Sequence, residues 1–276
     1  MTLPNFLIIG AIKSGTTSLY HYLHQHPDVY MSPIKETWYY WKEGEAEGRV
    51  RIRTRQEYER LFDGVASERA IGEASPQYLH SPTAPARIAA DMPGVRLIAS
   101  LRNPADRAYS SYLGRLRGGW ERRSVEEAMR PGTYHVESSL YHAALSRYLD
   151  TFDRGRLKVI LFDDLIADPH AVLRELHEFL GIDDTFVADV TEQHNRGVVP
   201  RNVALNEVFW KSVERLRKLL PPSLRNTGLA GRAHRLLVKK PEPLPPAIRK
   251  ELLEHFRDDI AKTEALIGRD LSRWSI

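Results

Sequence analysis

A short apolar run that ends in glycine, followed by a second glycine, a cluster of hydroxyl residues and a helical pattern, constrains this chain more than any other feature. Residues 5–10, Asn-Phe-Leu-Ile-Ile-Gly, are continuously apolar rather than alternating after the first position, as expected of a strand covered on both faces in a parallel sheet. Thr17 to His26 then carries apolar residues at Leu19, Tyr20 and Leu23. His26-Pro27-Asp28 ends that helix, because proline disfavours helix in the residue before it. Between them runs Gly10-Ala11-Ile12-Lys13-Ser14-Gly15-Thr16-Thr17. In such a strand–loop–helix unit the main-chain amides and the positive end of the helix dipole converge, and the expected ligand is a phosphate-like anion.

The pattern repeats along the chain. Strands are expected at Ala70 to Ala74, Val95 to Leu101 and Leu157 to Phe162, each followed by helical periodicity. Thr54 and Glu57 have capping-box spacing and open a helix through Phe62. Asn103-Pro104 supplies an N-cap and a first-turn proline for a helix reaching about Arg117, and Asp168-Pro169 does the same for one ending near Gly181. Alternating strands and helices imply an α/β fold: a P-loop-like parallel sheet with helices on both faces and ligands bound beyond the carboxyl ends of the strands. Past Gly181 the strand signals fade. Asn202 to Leu220 and Pro245 to Ile267 read as helices, separated by Pro221-Pro222 and a proline-rich stretch from Pro241 to Pro246. The expectation is one domain over residues 1–276, with a core at about 5–200 and a helical, basic extension at about 201–276.

With 276 residues, 42% of them hydrophobic, the chain can bury one sizeable core. It has no cysteine, which excludes disulfides, thiolate nucleophiles and zinc–thiolate sites. The net charge of +4 gives no nucleic-acid signature, but it is unevenly spread. Residues 211–250 hold eleven Lys and Arg against Glu214 and Glu242, or +9, which leaves −5 for the rest. Such a segment suits peripheral contact with an anionic surface or acceptor, with Leu236, Leu237 and Val238 set among Arg232, Arg235, Lys239 and Lys240; the plainer alternative is a solvated face. The N-terminus shows neither signal-peptide flanks nor a long apolar core, and no run reaches the ~20 apolar residues that span a bilayer. A cytoplasmic protein is expected.

The loop has the Gly-x4-Gly spacing of a Walker A motif, yet Thr16 stands where that motif has its lysine, and the cation present, Lys13, lies inside the loop. Thr17 and Asp163 can imitate the magnesium-holding positions of a nucleoside triphosphatase, so a P-loop kinase or ATPase stays open at this point. A non-enzymatic nucleotide-binding module stays open as well.

Gly10 to Leu19 resembles the 5′-phosphosulfate loop of sulfotransferases that use 3′-phosphoadenosine 5′-phosphosulfate (PAPS). Arg102-Asn103-Pro104-Ala105-Asp106-Arg107-Ala108-Tyr109-Ser110 resembles the 3′-phosphate motif of the same family, with an arginine at the strand end and a serine two turns into the helix. Phe162-Asp163-Asp164-Leu165 is similar to a structural acidic pair of the family core. The likeness spans about residues 5–200. It is nearest to the heparan-type branch, extending through His26-Pro27-Asp28 and Lys35-Glu36-Thr37-Trp38-Tyr39-Tyr40.

The resemblance implies in-line transfer of a sulfuryl group from PAPS to a hydroxyl or amine on a carbohydrate, lipid or small molecule, leaving adenosine 3′,5′-bisphosphate and requiring no metal. It implies that Lys13, Ser14, Gly15, Thr16, Thr17 and Ser18 hold the 5′ side, with Lys13 stabilising the leaving phosphate. Arg102, Ser110, Arg196 and Gly197 would hold the 3′-phosphate; Val198 stands where the branch has a second cation, and Arg201 is a substitute for it. The acceptor must lose a proton to a base. Glu36 matches the position of that branch's glutamate base. Glu73, in Gly72-Glu73-Ala74-Ser75-Pro76-Gln77-Tyr78, is the second candidate, although Ala74 replaces the lysine of the matching family motif; His80 ranks third. Trp38 to Trp41 either line an acceptor cleft or simply pack. His21, His24 and His26 lack carboxylates at ligand spacing, so no metal site is expected.

Overall fold

The computed structural model describes residues 2–41, 52–191, 199–219 and 237–275. Its contacts divide into two compact units: residues 1–103, 140–195 and 257–276 form the first, and residues 104–139 and 196–256 the second.

The first unit is built on a five-stranded sheet. Strand β1 (Phe6–Gly10) leads into α1 (Thr16–Leu23), followed by β2 (Val29–Met31), α2 (Arg55–Arg60), β3 (Ala70–Ala74), a 3₁₀ turn (Tyr78–His80), α3 (Ala84–Asp91) and β4 (Arg96–Leu101). The spatial order is β2-β3-β1-β4 with the later β5 (Leu157–Leu161) at the far edge, and every pairing is parallel. β1 is buried along its whole length, as its unbroken apolar run anticipates. From β1 the chain crosses to the edge at β2 and comes back to β3 beside β1, then passes over to place β4 on the other side of β1. The direction therefore reverses at β1 and β4, and the crevice outside their carboxyl ends is where such a sheet binds ligands.

Local chemistry sets the element ends. Thr54 and Glu57 form the reciprocal capping box that starts α2. β5 stops one residue before the expected Phe162, because Phe162 opens α8 (Phe162–Ala167), whose first turn carries Asp163 and Asp164 at its positive end. In α9 (Pro169–Leu180) the Asp168 carboxylate accepts from the Ala171 amide, and left-handed Gly181 closes the helix. β2 has no counterpart in the sequence reading, since three residues are too few to show a period. Its Val29 and Met31 join Phe6, Ile8, Leu19, Leu23, Ile98 and Leu176 in one buried cluster.

The second unit contains α4 (Pro104–Arg117), α5 (Val125–Ala128), α6 (Tyr134–Glu137), β6 (Val199–Pro200), α10 (Val203–Leu219) and β7 (Val238–Lys239); α7 (His142–Leu149) belongs to the first. β6 and β7 pair antiparallel, a short addition in a region where no strand is expected from sequence. Fully buried Arg107 is held by the Ser139 hydroxyl at 2.7 Å, the Ser138 hydroxyl at 2.8 Å and the His135 carbonyl at 2.8 Å. The His135 ring in turn bridges Ser111 and Glu121. Asn206 and Trp210 of α10 donate to the Arg117 carbonyl, satisfying the end of α4. The last helix, α11, spans Pro246–Ile267. Among the described residues no helix is long and apolar enough to cross a membrane.

Candidate active site

The glycine loop leaves β1 at the reversal point of the sheet and is tied to β4. The Ala11 amide donates to the Ser100 carbonyl at 2.8 Å, and the Ser100 hydroxyl donates to the Ser14 carbonyl at 2.6 Å. Lys13 and Gly15 both have positive φ, at 70° and 83°. For Gly15 this conformation is joined by close packing, because a Cβ there would lie 2.9 Å from both Leu165 and Phe162. Gly15 caps α1 without any side-chain hydrogen bond, so the first-turn amides, those of Thr16, Thr17 and Ser18, are left for other acceptors. Ser14 is fully buried and its hydroxyl has no partner. A buried orphan hydroxyl in a left-handed loop at a helix N-terminus fits an anionic ligand, because the cost of leaving it unmet is removed once an oxygen arrives.

Arg102 follows β4 directly. Its guanidinium donates to the Lys13 carbonyl at 3.4 Å and lies 4.9 Å from the centre of the Phe162 ring. Its own carbonyl accepts from the Tyr141 hydroxyl at 2.8 Å. The Arg102 guanidinium, expected to grip the 3′ end of the donor, therefore touches the main chain of the loop expected to hold the 5′ end.

The acidic pair is engaged by protein groups. Asp163 accepts from the Trp274 indole at 3.1 Å, and Asp164 is paired with Arg269 at 2.6 Å. Trp274 is buried, and its carbonyl accepts from Asn103 at 3.0 Å. Thus the aspartate that can imitate a magnesium ligand instead anchors the C-terminal turn. Among the described residues no three His, Asp or Glu side chains are grouped to hold a metal. Buried His26 accepts from the Asp28 amide through Nδ1, so Nε2 carries the proton it donates to the Asp183 carbonyl.

Glu36 lies beyond β2 on a segment clamped to the end of β3. Its amide donates to the Ala74 carbonyl at 2.8 Å, and the Trp38 amide donates to Ser75 Oγ at 3.3 Å. Both Glu36 and Trp38 have φ of 62°, which non-glycine residues rarely adopt and which persists only where surrounding contacts enforce it. The carboxylate is half-buried: Oε1 accepts from Lys35 at 2.9 Å and Oε2 from Gln77 at 3.0 Å. Burial pushes the Glu36 carboxyl up, but the Lys35 ammonium and hydrogen bonds from Lys35, Gln77 and Trp38 outweigh it, leaving the group below the ordinary carboxylate range.

Glu73 differs sharply. It is fully buried; Oε1 accepts from Thr37 at 3.0 Å and from Ser75, and Oε2 accepts from Tyr58 at 3.2 Å. Desolvation raises its pKa despite these bonds. Thr37 has one hydroxyl proton and gives it to Glu73, so the Tyr78 hydroxyl donates to Thr37 Oγ1, at 3.1 Å, while itself accepting from the Tyr40 amide. Two candidate acids thus occupy different settings, one half-open on a strained turn and one sealed beneath it. Tyr39 stacks on Tyr58 with ring centres 4.4 Å apart, and Tyr40 is buried, so part of the aromatic strip packs; Trp38, Tyr39 and Trp41 remain half-buried.

Ser110 is half-buried on α4 of the second unit, and His80 is half-buried at the end of the 3₁₀ turn. Arg196, Gly197, Arg232 and Arg235 lie outside the described residues. Arg201 is exposed and donates to the Val238 carbonyl, while Lys239 pairs with Glu242. Thr37, Ser75, Tyr58, Gln77 and Ser100 are absent from the sequence-based site. Ser75 and Gln77 sit inside the segment that contains Glu73, and Thr37 is next to Glu36; these adjacencies are the only signal the sequence carries for them.

A family model described as a sulfotransferase domain matches residues 3–215. The human bifunctional heparan sulfate N-deacetylase/N-sulfotransferase 3 is 30% identical over 65% of this chain, and the match covers 22% of that protein, so the chain corresponds to under a quarter of its length. The crystal structure of a sulfotransferase from Alicyclobacillus acidocaldarius superposes with a TM-score of 0.74 at 33% identity over 100% of both chains. Mouse sulfotransferase SULT7A1, solved in complex with PAP, shares the fold at a TM-score of 0.52 and 14% identity, covering 95% of this chain and 86% of the mouse one.

Proposed function

Since this chain belongs to the sulfotransferase domain family, we propose that it transfers the sulfuryl group of PAPS to a hydroxyl or amine acceptor. The observation that carries this reading is the meeting of Arg102 with the Lys13 carbonyl at the reversal point of the sheet, over a loop with a buried orphan hydroxyl at Ser14. The residues fit a donor with phosphates at both 5′ and 3′ positions. Ser14, the amides of Gly15 to Ser18 and the Lys13 ammonium hold the 5′ side, while the Arg102 guanidinium recognises the 3′-phosphate by charge-assisted hydrogen bonds. Ser110, Arg196 and Gly197 are assigned to the 3′-phosphate on their motif resemblance alone. PAPS supplies a sulfuryl group on a phosphate leaving group that departs as a stable anion.

Glu36 acts as general base. The acceptor O–H or N–H bond breaks, its proton passes to the Glu36 carboxylate, and the freed electron pair forms the new bond to sulfur. The bond from sulfur to the 5′-phosphate oxygen breaks in line, with its pair leaving on that phosphate. Lys13 offsets the charge that develops there. Glu73, sealed and fully engaged, is assigned to positioning: it holds Thr37 and Ser75, which hold the Glu36 turn. The name of the heparan sulfate relative makes carbohydrates the first acceptor class to test.

A thermal-shift comparison decides the donor: stabilisation by adenosine 3′,5′-bisphosphate without magnesium supports the reading, whereas preference for Mg-ATP supports a kinase or ATPase. Glu36→Gln then separates an enzyme from a binding module. Turnover of acceptor and PAPS should be abolished with nucleotide binding retained, and an unchanged rate removes Glu36 from the mechanism.

A further inference from the structure

Gln77 takes no part in the reaction outlined above, and although it lies in the segment that carries Glu73, no role falls to it there. It stands at the start of the 3₁₀ turn, with its carbonyl accepting from the His80 amide at 3.3 Å, so its backbone is fixed. The residue is more than nine-tenths buried, at 8% exposure. Its Nε2 donates to Glu36 Oε2 at 3.0 Å, while its Oε1 is buried and has no hydrogen-bond partner. The orientation is forced, because an ionised carboxylate only accepts and the amide must turn its NH₂ toward it. A glutamine chosen for stability alone would satisfy both ends or be replaced by an apolar residue of similar size. Here the amide leaves one end unmet and keeps the other on Glu36.

We infer that Gln77 is a positioning residue for the proposed base: it anchors Glu36 Oε2 through a neutral donor, so that Oε1, the oxygen covered by Lys35, is the one presented to the acceptor's proton. A neutral anchor suits this task. A second cation in its place would weaken the carboxylate as a base, whereas an amide fixes its geometry without adding charge. Among the described residues, the ionised group set against the Glu36 carboxylate is Lys35; Gln77 and Trp38 add neutral hydrogen bonds that favour the charged form.

This inference rests on Glu36 being the base, and its test keeps the two apart. Gln77→Met preserves length and burial, removes the donor and removes the orphan carbonyl. The expected result is a Tm equal to or above that of the parent, a kcat lower by roughly tenfold or more, a donor KM within about twofold, and an acid limb of kcat/KM moved to higher pH. Gln77→Glu places a second carboxyl beside Glu36 and should move that limb further in the same direction, because two adjacent carboxyls resist ionising together. If Glu36→Gln is inactive while Gln77→Met keeps the parent kcat and acid limb, the assignment of Gln77 is overturned and the base stands. If Gln77→Met loses Tm and activity together with an unmoved acid limb, its role is structural. If Glu36→Gln turns over normally, the base itself is misassigned and Gln77 has nothing to position.

Discussion

The Arg102 guanidinium reaches the carbonyl oxygen of Lys13, at 3.4 Å, so the residue that follows β4 also braces the loop that leaves β1. Removing it should affect a ligand's 3′-phosphate more than the rest of the ligand. Arg102→Ala is expected to weaken adenosine 3′,5′-bisphosphate by about 1.5–3 kcal/mol, roughly ten- to a hundredfold, with a much smaller loss for adenosine 5′-phosphate. Calorimetric titration of both nucleotides against parent and variant checks the difference; equal losses would count against a 3′-phosphate contact.

Gly15 combines φ of 83° with Leu165 and Phe162 at 2.9 Å from any added Cβ. Gly15→Ala should therefore destabilise the protein by about 1–3 kcal/mol and distort the loop amides, abolishing nucleotide-induced stabilisation. Urea denaturation with and without adenosine 3′,5′-bisphosphate measures both effects.

Thr37→Val keeps the shape of the side chain but removes the hydroxyl that joins Glu73 to Tyr78. Leaving buried partners unmet should cost about 1–3 kcal/mol. Because the strained turn at Glu36 and Trp38 then loses a tether, kcat should fall while the shift in Tm produced by nucleotide is retained. A variant that is destabilised yet fully active would argue against a positioning role for the buried network.

His177 is fully buried, with neither ring nitrogen hydrogen-bonded, and stands 4.7 Å from the His26 ring. Burial, followed by the neighbouring His26, pushes its pKa down to about 4 from an ordinary 6.5. The unfolded chain therefore binds a proton between these values that the folded protein does not. Stability from this group is complete above pH ~6.5 and lost as the pH falls toward 4, on the order of 2 kcal/mol. In His177→Leu the difference between denaturation midpoints at pH 7 and pH 5 should shrink; an unchanged difference would place the acid sensitivity elsewhere.

Those parts of the fold that rest on local rules were legible in the chain. The run ending at Gly10, the capping box of Thr54 and Glu57, and the Asn103-Pro104 and Asp168-Pro169 starts each name an element, because an apolar period or a cap is a short-range property. β2 and the β6–β7 pair were not legible, since two or three residues gain strand character only from the partners that the tertiary fold supplies. The site divides in the same way. The glycine spacing marks the loop from Lys13 to Ser18 as an anion cradle, whereas Arg102 is picked out by family resemblance. By contrast, Glu73 with Thr37, Tyr58 and Ser75, and Gln77 with Glu36, join residues up to 41 positions apart, and no periodicity encodes such pairings.

β4 and the residue after it grip the glycine loop at three places: Ser100 through its carbonyl and its hydroxyl, and Arg102 through its guanidinium. The conformational entropy of that loop is thus surrendered when the chain folds rather than at encounter with a ligand. Nucleotide capture should accordingly proceed in one kinetic step, with an association rate linear in concentration and tuned by ionic strength rather than limited by a slow rearrangement of the cradle.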